Sequence, residues 1–397
     1  MIRPHALVSL AFAASLAACA GGSSGSAAAG SGGTTPVIVV TPAPSPAAGN
    51  APGGGSAATP APVTTPTPAP PAGGATPTQT PVPLRSPSGS ATYSDANGSF
   101  SYVYFVPTGR TGPYPLVLAL HGCLQHTADF EDGTRFFEDA QANGYAVVMP
   151  QHLVTPAVNP NGCWQFWSDH YRGKGEPEVL TGIVHDMATR IAVDTHRTYV
   201  AGLSSGGAMA VALGAAYPDV FAAIAVGSGT EYQPCISDNV YQCYLALTNQ
   251  AFDQDGTSSG KAAYTQAKLA GVTRAVPAIY FQGDADTVVS PFNLGLALTS
   301  IATMNDGITS NGAYPGVYTA NPATHDSGAV PGGYAYDHYT ANGGVLDWTV
   351  IHGMNHAWAG GVAEPASNAS DGNNYFDPKG PNATVASRTF LFRWTLP

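Results

Sequence analysis

Residues Thr198 to Ala210 read TYVAGLSSGGAMA: an apolar run, two serines enclosed by glycines, then alanine-rich sequence. A strand that turns directly into a helix needs a tight turn, and a tight turn admits only small residues where strand and helix meet. Gly202-Leu203-Ser204-Ser205-Gly206 fits G-x-S-x-G in that context. With Ser204 at the apex, the positions two before and two after it are Gly202 and Gly206. With Ser205 at the apex they would be Leu203 and Gly207, and the leucine would collide with the helix. Steric reasoning therefore selects Ser204 and leaves Ser205 to offer a backbone N–H. A flexible Gly/Ser loop is the competing reading, and the strand–helix context argues against it.

The surrounding chain repeats the strand–helix alternation. Continuous apolar runs at Pro115–Leu120, Tyr145–Pro150, Ala222–Val226 and Ala278–Gln282 read as buried strands. Trp348–His352 reads as a late strand and Tyr102–Val106 as a half-exposed early one. Helical stretches are expected at Phe136–Asn143, Glu178–Ile191, Ala208–Tyr217, Ala262–Ala270 and Ala383–Trp394. Such alternation implies an α/β class, with a mostly parallel sheet covered by helices on both faces. In these sheets the chemistry lies at the carboxyl ends of the strands.

A serine nucleophile needs a base, and the base needs an orienting acid. After the strand ending at Gln282 come Asp284 and Asp286. Asp286 lies further into the turn and fits G-x-x-D-x-x-V, whereas Asp284 is expected to brace the loop. The downstream histidines are His325, His338, His352 and His356. His352 ends a strand, and His356 sits in the loop beyond it, where side chains reach a site. Asp286 and His356 are therefore the expected acid and base. The second oxyanion donor is expected from His121-Gly122-Cys123, after an earlier strand, with the Cys123 amide paired to that of Ser205.

The chain has a formal net charge of -11 with only 10% charged residues, which argues against nucleic-acid binding. Arg3 precedes an apolar run, Ala6–Ala18, shorter than the ~20 residues a membrane span needs, so it reads as a signal-peptide core. Leu16-Ala17-Ala18-Cys19 resembles a bacterial lipobox. That implies a lipoprotein-type signal peptide over 1–19 and membrane attachment only through lipid on Cys19. Ala20 to about Ser86 is Gly, Ser and Ala, then Pro and Thr, and is expected to be a disordered tether. Residues 87–397 form the expected catalytic domain, with the exported protein at the cell surface, in the outer membrane or outside the cell. Four cysteines remain beside Cys19, which suggests disulfides Cys235–Cys243 and Cys123–Cys163. Their spacing matches no zinc pattern.

The segments LALHGCLQ, NGCWQFW, AGLSSGGAMA, GDADTVVSPFN, HGMNHAWAGG and DPKGPNATVASRTFLFRW, in this order, resemble one family: the extracellular poly(3-hydroxybutyrate) depolymerase catalytic domain and its esterase relatives, feruloyl esterases among them. The resemblance spans Tyr102 to Trp394. It implies an α/β-hydrolase fold with Ser204 as nucleophile, Asp286 as acid, His356 as base, and Cys123 and Ser205 as oxyanion amides. Trp164 and Trp358 would line an ester-binding cleft or pack in the core, and Asn293 matches a position near the acid loop. The implied activity is a serine carboxylesterase acting on poly(3-hydroxybutyrate) or its oligomers through an acyl-enzyme, with no metal or organic cofactor. The oligomeric state stays open. An esterase for feruloyl or acetyl groups of plant cell walls is the alternative on this scaffold. A catalytically inactive surface lipoprotein that binds polymer or carbohydrate is an alternative of another class, against which the complete triad argues. Two departures from the family, no polymer-binding module after the final helix and a long Asn305–Gly344 stretch, point away from solid polymer. The long stretch is expected to be a lid, a substrate platform or a plain surface insertion.

Overall fold

The apolar runs become the parallel centre of a ten-stranded sheet. In this computed structural model the described residues are 85–152, 159, 161–235, 243, 246–248, 255–362 and 375–397. The signal segment, Cys19 and almost all of the tether lie outside them. The strands are β1 (Gly89–Asp95), β2 (Gly98–Phe105), β3 (Tyr114–Leu120), β4 (Ala146–Gln151), β5 (Val193–Leu203), β6 (Ala223–Gly227), β7 (Ala278–Gly283), β8 (Thr324–Ala329), β9 (Ala335–Ala341) and β10 (Leu346–Ile351). Their order is β1-β2-β4-β3-β5-β6-β7-β10-β9-β8. The six from β4 to β10 pair in parallel, and an antiparallel pair closes each side.

Burial on both faces explains why the central strands lack polar alternation. Every residue of β3, β6 and β7 is buried. Along β3, Leu116, Leu118 and Leu120 enter one core while Val117 and Ala119 enter the other. The first core is covered by α3 (Gly175–Arg190), α4 (Ser205–Ala216), α5 (Gly256–Leu269) and α6 (Phe292–Thr309), through residues such as Leu180, Met209, Ala263 and Ile301. The second is covered by α1 (Thr127–Thr134), α2 (Phe136–Asn143) and α7 (Ala383–Leu391), through Phe130, Phe137 and Phe390. All of α4 is buried. Its glycines and alanines let it lie close on the sheet: a Cβ on Gly207 would stand 2.9 Å from the Gly227 carbonyl oxygen. This two-faced, mostly parallel arrangement is the α/β-hydrolase fold.

Some elements differ from the sequence expectation. Helix α6 has no amphipathic stripe because it is buried around most of its circumference, so helical periodicity does not reveal it. Its last turn reaches Thr309, so the long stretch expected from Asn305 starts as helix and becomes irregular only at Ser310. Further on it forms β8 and β9, which extend the sheet beyond β10. Helix α7 stops at Leu391, short of Trp394. Disulfides join Cys123 to Cys163 and Cys235 to Cys243. Among the described residues no helix is long and apolar enough to cross a membrane.

Candidate active site

Strand β5 ends at Leu203 and α4 begins at Ser205, so one residue makes the whole turn. Ser204 takes φ 58° and ψ −122°, a region that costs a non-glycine residue of order 1–3 kcal/mol. The turn is held by Ser204 N–H donating to the Gly227 carbonyl at 2.9 Å and by the Ala208 amide donating to the Ser204 carbonyl at 2.9 Å. A Cβ on Gly202 would lie 2.2 Å from the Gly206 carbonyl oxygen, and one on Gly206 would lie 2.3 Å from that of Leu120. The flanking glycines are thus required by backbone–backbone approach, as the steric reading supposes. Ser204 is partly exposed, whereas Ser205 is buried and its hydroxyl has no partner among the described residues.

The two aspartates and two histidines that compete in the sequence form two separate pairs. Asp286 Oδ2 lies 2.8 Å from His356 Nδ1, and both side chains are almost wholly buried. Asp286 Oδ1 accepts the amides of Val288 and Val289 at 2.9 Å, and Oδ2 also accepts from Gln282 Nε2 at 3.1 Å. These bonds turn the carboxylate toward His356. Asp284 Oδ2 instead lies 2.9 Å from His352 Nδ1, and its Oδ1 accepts the Gly353 amide at 2.6 Å. That second pair is half exposed. The bond to Asp284 raises the His352 pKa, and His352 also reaches Asp337 on β9. Asp284 therefore ties the loop after β7 to the loop after β10. His338 bonds Thr349, and His325 pairs with Asp337 on the sheet extension.

The loop after β3 lies against the turn of Ser204. A Cβ on Gly122 would stand 3.2 Å from Ser204 Cβ. The Gly122 amide is occupied, donating to Gln125 Oε1 at 2.7 Å. The next amide, on Cys123, has no acceptor among the described residues, and neither has the first amide of α4, on Ser205. His121 is fully buried, which lowers its pKa to about 4 and keeps the ring neutral.

Trp164 and Trp358 take the core-packing alternative rather than the cleft, and Asn293 lies buried at the acid loop. Trp164 has no exposed surface; it packs against Phe100, His121 and His152 and donates from Nε1 to the His121 carbonyl. Trp358 is 1% exposed, packs among Phe130, Phe136 and Phe281, and donates to Thr384 Oγ1. Their rings are too large to leave in water beside a core that can take them. Trp358 instead backs the turn, since a Cβ on Gly227 would stand 3.0 Å from its ring. Asn293 is also wholly buried; its Nδ2 donates to the carbonyls of Leu247 and Ser290 and so closes the end of the acid loop.

Sequence reasoning misses Asn355 and Tyr375. Asn355 Oδ1 accepts the amides of Thr287 and His356, tying the acid loop to the base loop. Tyr375 sets its ring edge-on to His356 at 6.0 Å. Asparagine before a loop histidine is an ordinary turn residue, and Tyr375 meets His356 only through tertiary folding.

A family profile described as "Esterase PHB depolymerase" matches residues 100–321, more than half of the chain. The poly(3-hydroxyalkanoate) depolymerase C of Paucimonas lemoignei is 31% identical over 199 residues, covering 49% of this chain and 46% of that protein. The acetylxylan esterase A of Talaromyces purpureogenus is 25% identical over 212 residues, covering 50% and 52%. The chain thus spans about half the length of these curated relatives. A solved acetyl xylan esterase from Aspergillus awamori matches with a TM-score of 0.50 at 17% identity, over 65% of this chain and 89% of that one, a likeness of fold. The matched range runs from β2, past the turn at Ser204 and the loop bearing Asp286, to just before β8, and this chain belongs to the esterase PHB depolymerase family.

Proposed function

We propose that this protein is an exported serine carboxylesterase that hydrolyses poly(3-hydroxybutyrate) or its oligomers through an acyl-enzyme. The observation that carries the reading is the buried Asp286–His356 pair, set on loops that follow β7 and β10, together with the strained turn at the end of β5 that carries Ser204. In the reaction, Ser204 Oγ attacks the ester carbonyl carbon and His356 Nε2 takes its proton. Asp286 accepts from His356 Nδ1, fixes the tautomer and stabilises the imidazolium. The amides of Cys123 and Ser205 bind the oxyanion, each donor worth ~2.7–4 kcal/mol in the transition state. The tetrahedral intermediate collapses, the alcohol leaves with the proton from His356, and water cleaves the acyl-enzyme by the reverse relay.

The polyester substrate is supported by family membership and by the depolymerase relative. The acetylxylan esterase relative supports a second reading, removal of acyl groups from plant-wall carbohydrate. A substrate panel separates them. Release of 3-hydroxybutyrate units from oligomers or amorphous polymer supports the first, and release of acetate or ferulate without them overturns it. The esterase reading itself is tested with a fluorophosphonate probe. Labelling of wild type that vanishes in Ser204→Ala supports it, and absence of labelling refutes it. Surface attachment through Cys19 belongs to the same proposal: palmitate incorporation in the host is expected, with loss in Cys19→Ala, and secretion without lipid would refute it.

A further inference from the structure

Behind the loop that carries the Cys123 amide lies a buried polar network with no part in the ester chemistry above. Its centre is Glu176, in the first turn of α3 and 5% exposed. Oε1 lies 2.7 Å from His152 Nε2 and accepts from Gln165 Nε2 at 3.2 Å, while Oε2 accepts the Gln165 amide at 2.7 Å. A buried carboxylate is costly unless it is paired and fully hydrogen-bonded, and here every bond goes to one of two chain segments. One is the residue following β4; the other is the loop carrying Cys163 and Trp164.

Both segments lead to Cys123. The His152 backbone N–H donates to His121 Nε2 at 3.0 Å. With Nε2 accepting, the proton sits on Nδ1, which donates to the Gly122 carbonyl at 2.7 Å. That carbonyl and the Cys123 N–H belong to the same peptide unit. In a trans peptide they point in opposite directions, so anchoring the oxygen aims the N–H. On the other route, Trp164 donates to the His121 carbonyl at 2.9 Å and Cys163 is bonded to Cys123. Asn159 links the routes: it holds the Cys163 backbone at 2.7 and 3.1 Å and lies 3.2 Å from His152 Nδ1.

We propose that Glu176 and His152 are positioning residues for the oxyanion site: through His121 they fix the Gly122–Cys123 peptide so that its N–H is aimed before substrate arrives. The inference rests on the reading of Cys123 as an oxyanion donor. Such donors act only when held in place in advance of the reaction.

Glu176→Gln keeps the shape but offers one acceptor oxygen where two are used, so either His152 or Gln165 loses its partner. With p-nitrophenyl butyrate, kcat is expected to fall at least tenfold with KM within twofold. The inhibition constant of an alkylboronic acid, whose serine adduct is tetrahedral, is expected to rise in proportion. His152→Gln should behave alike and serves if Glu176→Gln folds poorly. Asp169→Asn is the control: its carboxylate accepts the Glu176 amide at 3.2 Å and, among the described residues, has no hydrogen bond to His152 or Gln165, and it should stay within twofold of wild type. Unchanged kcat and boronate affinity in both variants would overturn the inference, as would losses that only follow the unfolded fraction. Fluorophosphonate labelling separates the failures. An unlabelled wild type sinks the esterase reading, whereas a labelled wild type matched by both variants sinks this inference alone.

Discussion

Asp286 reaches His356 by one short hydrogen bond, 2.8 Å between Oδ2 and Nδ1, while its other oxygen is occupied by the amides of Val288 and Val289. The carboxylate therefore cannot turn away from the imidazole without losing two backbone bonds. Asp286→Asn keeps the size but removes the charge and disturbs the tautomer of His356. It is expected to lower kcat by ~10⁴ with little change in KM, read with p-nitrophenyl esters. Asp284→Asn, in the exposed pair, should leave kcat within about tenfold of wild type; the reverse ranking would reassign the acid.

The serine doublet makes a sharper contrast. The Ser205 hydroxyl is buried without a partner among the described residues, a state that costs ~1–3 kcal/mol, and its amide survives substitution. Ser205→Ala is therefore expected to keep activity and to melt at the same temperature or higher. Ser204→Ala should abolish turnover. Gly202→Ala places a methyl 2.2 Å from a backbone oxygen, and should cost at least the ~1–3 kcal/mol typical of overpacking, with loss of soluble protein as the readout.

Burial turns the two tryptophans from ligand contacts into supports. Trp358→Ala should destabilise by ~3–5 kcal/mol, measured by denaturant unfolding. Activity should fall through kcat, because the ring backs Gly227, whose carbonyl holds the Ser204 amide. A rise in KM at unchanged stability would restore the cleft-lining role.

Glu131, in α1, is 5% exposed, and burial together with neighbouring Glu138 pushes its pKa up to about 10. The folded protein keeps this proton through neutral pH, whereas an unfolded chain releases it near ~4.3. Ionisation therefore favours the unfolded state increasingly as pH rises from there toward 10, and the folded state is penalised least in acid. Glu131→Gln, which mimics the protonated acid, should raise Tm at pH 8 and lose its advantage near pH 4. Calorimetry across that range checks it, and an equal effect at both pH values would refute it.

Much of this arrangement is legible in the sequence because it follows from local rules. The continuous apolar runs of β3, β4, β6 and β7 declare burial on both faces. The glycines around Ser204 declare a turn in which backbones touch, and chain order with loop position selects Asp286 and His356. Helix α6 and the β8–β9 extension escape because the first is buried nearly all round and the second is a polar hairpin with little periodic burial. The fates of Trp164, Trp358 and Asn293 escape for another reason: large apolar or amide side chains beside a site can face cleft or core, and only the packing of distant elements decides.

By itself, then, the sequence determined the sheet's apolar centre, the turn at Ser204, and which aspartate and histidine stand in loops. Tertiary structure alone decided that Asp286 meets His356 while Asp284 meets His352. It also decided that Gln125 takes the Gly122 amide, leaving that of Cys123 without an acceptor among the described residues, and that Glu176 stands behind the loop through His152 and Gln165. Those outcomes depend on which groups converge from far-apart segments to satisfy buried donors and charges, and no local pattern encodes that convergence.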